Sequence, residues 1–430
     1  MKRGAVRMKK SWLPIALSSM FVLGACGGGE ADGDTSASGE NDGEDVSIRY
    51  FHPGADQPGT RDGIEEMIER FEEENPNINV ELETVGWGDA YQKLVTDISS
   101  GQAPDVFFGG TRWVPAFALM DALLPLDDYA SDRIGLYHEP LQRNVTINDS
   151  IYAIPRAFST RTLIYRTDLI DEPPTTWDEL IETAQTVQEE NEGIYGLGIS
   201  GASHISTVEQ LMNYVYQNEG AVFNEDGDIT LTEPEFVEAL EFYADLYREH
   251  GVVPNPLEYN REELPTLFAQ GRIAMYVIGP WGRNMMGLEP DNEEAPYDNA
   301  PLPEGKQMAN IFGSDSIMIS NNTDHPDEAW EFLEFISQPE EQKLYDLDQG
   351  LVPIQIDEAE EPEFHEDPFF ATYVESIEFG HEAPKPAAWE PFQDIISEAV
   401  QKTLNGSDAK EALQEAARKI EEQGLTPSGE

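Results

Sequence analysis

From Val46 onward, apolar positions switch between two spacings. Residues Val46–Phe51 read as a short strand, and Ile64, Met67, Ile68 and Phe71 recur at helical spacing before Asn75-Pro76 stops them. Ile78, Val80 and Leu82 alternate as a second strand, Tyr91, Leu94, Val95 and Ile98 form a helix face, and residues 105–108 make a third strand. The order β-α-β-α-β predicts a mostly parallel sheet covered by helices. Ligands of such sheets collect beyond the carboxyl ends of the strands. Those ends carry Phe51-His52-Pro-Gly-Ala-Asp56, Val85-Gly-Trp87-Gly and Gly109-Gly-Thr-Arg112-Trp113, so aromatic and polar groups converge on one edge.

A second α/β unit follows, with strands at 162–165 and 195–199 around a helix at Trp177–Glu190 opened by Thr175 or Thr176. Helices are predicted at 206–218, 233–250 and 261–270. "AMYVIGPWG" (274–282) then reads as a strand stopped by Gly279-Pro280, with Trp281 at its tip. Residues 310–320 form a strand interrupted by small polar residues, and helices at 326–337, 340–347, Trp389–Leu404 and 407–423 close the chain. No internal repeat is visible.

Length and charge narrow the picture. At 430 residues the chain is too long for one ordinary core and calls for two domains or lobes. Its 26 basic and 84 acidic residues give a net charge of −58, which opposes binding to nucleic acid or to an anionic membrane surface. An acidic surface of this kind keeps proteins soluble in high salt or at alkaline pH. The basic residues Lys2, Arg3, Arg7, Lys9 and Lys10 precede "WLPIALSSMFVL" (12–23), which has the length of a signal-peptide core and is too short to span a bilayer comfortably. It ends in Leu23-Gly-Ala-Cys26, similar to the lipobox of bacterial lipoproteins, in which the Cys takes a diacylglycerol and becomes the new N-terminus. Cys26 is the single cysteine, which rules out intramolecular disulfides and zinc-ribbon clusters. Residues 27–45 hold seven acids and no large apolar side chain, the composition of a disordered tether.

Five stretches in order, "MIERFEEENPNINVEL" (67–82), "LVTDISSGQAPDVFFGG" (94–110), "YAIPRAFSTRTLIYRTDLI" (152–170), "FAQGRIAMYVIGPWG" (268–282) and "HPDEAWEFLEFISQPEEQKLY" (325–345), resemble the extracellular solute-binding proteins of sugar ABC transporters, the group of maltose-binding protein. The resemblance runs from Val46 to about Glu422. It implies a two-lobe periplasmic-binding-protein-like α/β fold, with hinge crossovers and ligand in the interlobe cleft. Signal peptide, tether and lobes would occupy 1–25, 26–45, 46–158 plus 314–352, and 163–311 plus 354–430, with hinges at 158–162, 311–314 and 352–354. The implied function is capture of a sugar or oligosaccharide and its presentation to a membrane permease driven by a cytoplasmic ATPase. The protein would be lipid-anchored on the extracellular face of the cell membrane and would need no cofactor or metal.

The site candidates follow from what a sugar requires: aromatic faces for its C–H surface and planar polar groups for its hydroxyl rim. By the resemblance, Trp281 in the "GPW" turn and Trp389 in "KPAAWEPF" match stacking tryptophans, and Arg112 matches an arginine that hydrogen-bonds ligand. Trp87 and Trp113 lie at strand ends without a counterpart. His52 and Asp56 occupy the loop after the first strand, where the family places ligand contacts. Ser314 and Asp315 follow the second crossover, where a buried Asp must be paired, either with hinge backbone or with ligand. Arg156, just before the first hinge, would bind ligand or bridge the lobes. His204 lies in a loop after a lobe-two strand, facing ligand or solvent. Gly109 stands where maltose-binding protein carries a Trp, which points away from maltodextrin while leaving the sugar class.

Other function classes compete with this reading. A glycosidase needs two facing carboxylates, and no nucleophile elbow, phosphate loop or HExxH accompanies the many acids here. A binding protein for a non-sugar solute is the other alternative. Residues 224–235 place oxygen ligands near EF-hand spacing, but Ile229 stands where that loop needs Gly, so the segment reads as a turn before a helix.

Overall fold

The computed structural model describes residues 45–56, 60–224, 226–287 and 296–427. The expected signal segment, Cys26 and all but the last residue of the tether lie outside them.

The main elements in chain order are β1 (Val46–Phe51), α1 (Arg61–Glu74), β2 (Ile78–Glu83), α2 (Trp87–Ser100), β3 (Val106–Gly110), β4 (Ile154–Ser159) and β5 (Thr162–Arg166). There follow α3 (Trp177–Glu190), β6 (Tyr195–Gly198), α4 (Ile205–Gln217), α5 (Pro234–Arg248), α6 (Leu264–Ala269), β7 (Ile273–Ile278) and β8 (Tyr297–Ala300). The last are β9 (Gly313–Ile319), α7 (Pro326–Ile336), α8 (Pro339–Gln349), α9 (Trp389–Leu404) and α10 (Ala409–Glu422).

Strand alternation explains the first sheet, whose order is β2-β1-β3-β9-β4. Ile48, Tyr50, Val106, Phe108, Ile317 and Ile319 turn to one face, with Ile64 and Phe71 of α1 and Phe332 of α7. Phe51, Phe107 and Met318, the alternate positions, turn to the other, with Leu94 and Ile98 of α2. Both faces are buried, so the strands read as near-continuous apolar runs. The second sheet has the order β8-β5-β7-β6. Leu163, Met275 and Val277 pack with the interior of α3, α4, α5 and α9.

The expectation of a mostly parallel arrangement holds for β2-β1-β3 only. Strand β9 runs antiparallel to both neighbours, and in the second sheet only β6 and β7 are parallel. The cause is connectivity. The backbone leaves the first sheet after Ser159, enters the second at Thr162, and re-enters the first at Gly313, so β9 arrives from the opposite end. Strand β4 goes unpredicted because Pro155 interrupts it. The ladder absorbs the proline with a register shift, Ser316 opposing Pro155 and Asp315 opposing Ala157, which leaves Arg156 as the extra residue of a bulge.

Helix α3 is capped as expected, Thr176 Oγ1 accepting from the Glu179 amide at 3.2 Å. The helix expected from 261 begins only at Leu264, with Pro265 in its first turn, which leaves Arg261 in a loop. In the loop at 224–228, the Asn224 side-chain oxygen accepts from the Asp226 and Asp228 amides at 3.0 and 2.8 Å, a turn of the Asx type. Among the described residues, no helix is long and apolar enough to cross a membrane, and no group of three or more His, Cys, Asp or Glu could hold a metal.

Candidate ligand-binding site

A cavity of about 900 Å³, partly open to solvent, lies between the carboxyl ends of β1 and β3 and the loops of the second sheet. From the first sheet it receives His52, Trp87, Arg112 and Asp315; from the second it receives Glu209, Arg261 and Trp281, with Arg161 entering from the connection between the sheets.

Local packing sets these side chains. A Cβ on Gly279 would fall 2.0 Å from the Trp281 ring, so glycine is what lets the indole fold back over the strand end. All six residues of β7 are buried, whereas Trp281 is half-buried on the cavity wall. Gly109 and Gly110 do the same for β3, since side chains there would strike the Trp113 ring and the Arg112 guanidinium, each at 2.4 Å. Trp113 therefore occupies the space a side chain at 109 would take.

Charge is organised around Glu209. Its Oε2 accepts from Arg261 Nη1 at 2.9 Å and Arg161 Nη2 at 3.4 Å. Burial works against this carboxylate's charge, but Arg261 and Arg161 outweigh it and hold the carboxyl down at about 2. Burial lowers the Arg161 guanidinium from its ordinary value more than Glu209 raises it. The guanidiniums of Arg161 and Arg261 lie over the Trp281 ring at 4.8 and 5.9 Å. Asp315 is pushed up to about 6 by burial, against the pull of Arg112 at 4.0 Å.

His52 is 3% exposed and stacks on Phe108 at 4.4 Å. Its Nδ1 faces the Pro53 carbonyl and its Nε2 the Tyr345 hydroxyl, both at 3.1 Å. The carbonyl requires a proton on Nδ1, so Nε2 accepts from Tyr345. Burial brings the ring down to about 3, which keeps it neutral.

A second chamber, about 1690 Å³ and also open to solvent, adjoins the first and shares Arg112, Glu209 and Gly313 with it. Trp389 and Ser314 line this chamber rather than the first. Trp389 is 4% exposed, its Nε1 donating to Gln393 Oε1 at 3.0 Å.

Four expected site residues stand elsewhere. Trp113 is 1% exposed, packed with Trp87, Tyr91 and Phe117, and donates to Glu390 at 3.2 Å. Arg156 is fully buried: it stacks on Tyr345 at 3.9 Å and donates to Gln342 Oε1 at 2.8 Å and to the Ile336 carbonyl. Its Nη2 also reaches Met67 Sδ of α1 at 3.3 Å, so its partners belong to α1, α7 and α8 packed on the first sheet, and it neither reaches the cavity nor bridges the sheets. His204 is the N-cap of α4, its Nδ1 accepting from the Ser206 amide at 3.2 Å, and is buried rather than solvated. It sits behind the wall, with Nε2 3.7 Å from the cavity-lining Glu262. Asp56 is exposed and outside either lining.

Sequence reasoning missed Arg161, Glu209, Arg261 and Tyr345. Glu209 had a signal: it is the single charged residue of the 13-residue helix α4, and every other residue of that helix is uncharged and buried. A lone acid on such a helix needs a partner. Arg261 and Tyr345 gave none, because the one depends on where α6 starts and the other on α8 bringing the ring against His52, Phe108 and Arg156.

Known proteins place this geometry in context. The sequence pattern of the bacterial extracellular solute-binding proteins matches residues 57–343. A Brucella abortus protein described as a binding protein is 30% identical over 370 residues, 83% of this chain and 89% of its own length. A maltotriose-binding protein of Pyrococcus abyssi is 27% identical over 358 residues, 80% of this chain and 75% of its own. The solved structure of an ABC transporter solute-binding protein from Thermotoga lettingae, bound with α-D-tagatose, matches with a TM-score of 0.81 at 26% identity, covering 88% of this chain and 99% of that one. That likeness shows the two-lobe α/β fold for this chain. With the family pattern spanning residues 57–343 and a relative at 30% identity over most of both chains, this protein belongs to the bacterial extracellular solute-binding protein family.

Proposed function

We propose that the chain is the substrate-binding lipoprotein of an ABC importer, taking a sugar or oligosaccharide in the cavity and presenting it to a permease. The observation that carries this reading is the pairing, in one cavity, of indole rings (Trp87 and Trp281) with planar hydrogen-bonding groups contributed from both sheets. Aromatic faces suit the C–H surface of a pyranose, and guanidinium and carboxylate groups suit its hydroxyls. The matched relatives are binding proteins, and one of them is a maltotriose-binding protein. Lobes at 46–158 plus 314–352 and 163–311 plus 354–430 would close about crossovers at 158–162, 311–314 and 352–354. Closure follows if the ligand binds the closed state better than the open one.

Anchoring through a diacylglycerol on Cys26, with residues 27–45 as a tether, would hold the receptor near its permease on the extracellular face. Membrane fractionation of wild type and Cys26→Ser tests this part: release of the variant supports the anchor, and equal retention rejects it. Tryptophan fluorescence titration and melting curves against mono- and oligosaccharides in high salt test the rest. A sugar that shifts both supports the reading; a response only to amino acids, peptides or other solutes rejects the sugar assignment.

A further inference from the structure

Arg112 stands apart from the other cavity arginines. Arg161 and Arg261 spend their charge on Glu209 and share a carboxylate oxygen. Arg112 is held between two indoles, Trp113 at 5.1 Å and Trp389 at 5.5 Å, with its side chain only 19% exposed. Among the described residues its guanidinium makes no hydrogen bond, and its Nε is fully buried without a partner. The nearest carboxylate, Asp315, is 4.0 Å away, an ion pair beyond hydrogen-bond reach. A buried Nε–H without a partner is costly unless something completes it. Its position is also specific, because it lines both chambers and so marks their junction.

Resting on the sugar-receptor reading, we infer that the ligand is an acidic oligosaccharide, with the carboxylate of a uronic-acid residue seated on Arg112 at the junction of the two chambers. The fork of a guanidinium matches a carboxylate with two parallel N–H···O bonds, a fit that a hydroxyl pair reproduces without the charge. Stacking between indoles fixes the plane of the fork in advance. One guanidinium whose donors make no hydrogen bond matches one negative charge, so a uronate fits better than a phosphate dianion. Of the acids near the junction, Glu209 has two arginines and Glu390 accepts from Trp113, while Asp315, 4.0 Å from Arg112, is the carboxylate with which the ligand would share it. Adjoining chambers on both sides leave room for neighbouring sugar rings, one against Trp281 and one against Trp389.

The test offers the full-length mature chain a mixture of enzymatic digests of pectin, glucuronoxylan, alginate, starch and arabinan, and identifies retained oligosaccharides by mass spectrometry. Calorimetry then compares the retained compound with its methyl ester, using wild type, Arg112→Gln and Arg112→Lys. Expected are retention of a uronide, a loss of about 10- to 100-fold on esterification, and a similar loss for Arg112→Gln toward the acid but little toward the ester. Arg112→Lys, which keeps charge and loses the fork, should fall between and guards against misfolding of the Gln variant. Retention of neutral oligosaccharides alone, or equal affinity for acid and ester, overturns the inference while the sugar-receptor reading stands. Retention of no carbohydrate overturns both.

Discussion

Replacing Glu209 with Gln removes the one carboxylate that two buried guanidiniums share. The carboxyl titrates at about 2 instead of 4.5, which at neutral pH corresponds to roughly 3 kcal/mol of folding stability. A separate route gives the same scale, since breaking a buried pair by removing one partner costs about 3–5 kcal/mol; the Glu209 side chain is only 14% exposed, so solvent screens it little. The sign with pH is fixed by the depressed titration. The contribution is complete above the ordinary carboxylate range and is lost as pH falls toward about 2, so the gap between wild type and Glu209→Gln should narrow to about 1.5 kcal/mol at pH 3. Urea unfolding at pH 7 and pH 3, at two salt concentrations, measures both numbers. A loss under about 0.5 kcal/mol at pH 7, or a gap that widens on acidification, would refute the assignment of Glu209 as the anchor of Arg161 and Arg261.

Other perturbations separate binding from structure. Trp281→Ala should weaken sugar binding by about 10- to 100-fold with a small change in melting temperature, since the ring is half-buried; a collapse in stability with unchanged affinity would make it a core residue. Arg156→Met should do the reverse, leaving Gln342 and the Ile336 carbonyl without their donor and costing about 3 kcal/mol or more in urea unfolding while sugar affinity stays within about twofold. Asp346 and Glu358 are buried together, at 0% and 6% exposure, and burial raises both carboxyls, Asp346 well above the ordinary range. Raised carboxyls lose stability as pH climbs from the ordinary carboxylate range through their folded values, so Asp346→Asn should flatten that decline and gain about 1 kcal/mol at alkaline pH; a steeper decline in the variant would contradict burial as the cause of the raised Asp346 carboxyl.

What could be read directly from the chain was periodicity. Ile64, Met67, Ile68 and Phe71 face the core of α1 because helical spacing admits no other face, and Thr176 caps α3 because its hydroxyl precedes an apolar-periodic run. Strand β4 was hidden because its proline is accommodated by a bulge at Arg156 that appears only in its pairing with β9, more than 150 residues away. The same limit governs the site. His52, Trp87, Arg112 and Trp281 were visible as groups at strand ends, where the sheet delivers them to one edge. Arg156 was misleading because sequence proximity to a crossover says nothing about the face a bulge residue takes. Gly109 gained a meaning only from packing: it is the space into which Trp113 folds.

The central claim is that a sugar lies between the two sheets, against Trp281 and within reach of Arg112. A crystal structure of the mature chain with the oligosaccharide that binds most tightly tests this most directly. Expected is a sugar ring in the chamber bounded by His52, Trp87, Arg261 and Trp281, with Arg112 hydrogen-bonded to it. Ligand seated outside both chambers, or a filled cavity in which neither Trp281 nor Arg112 touches the sugar, would contradict it.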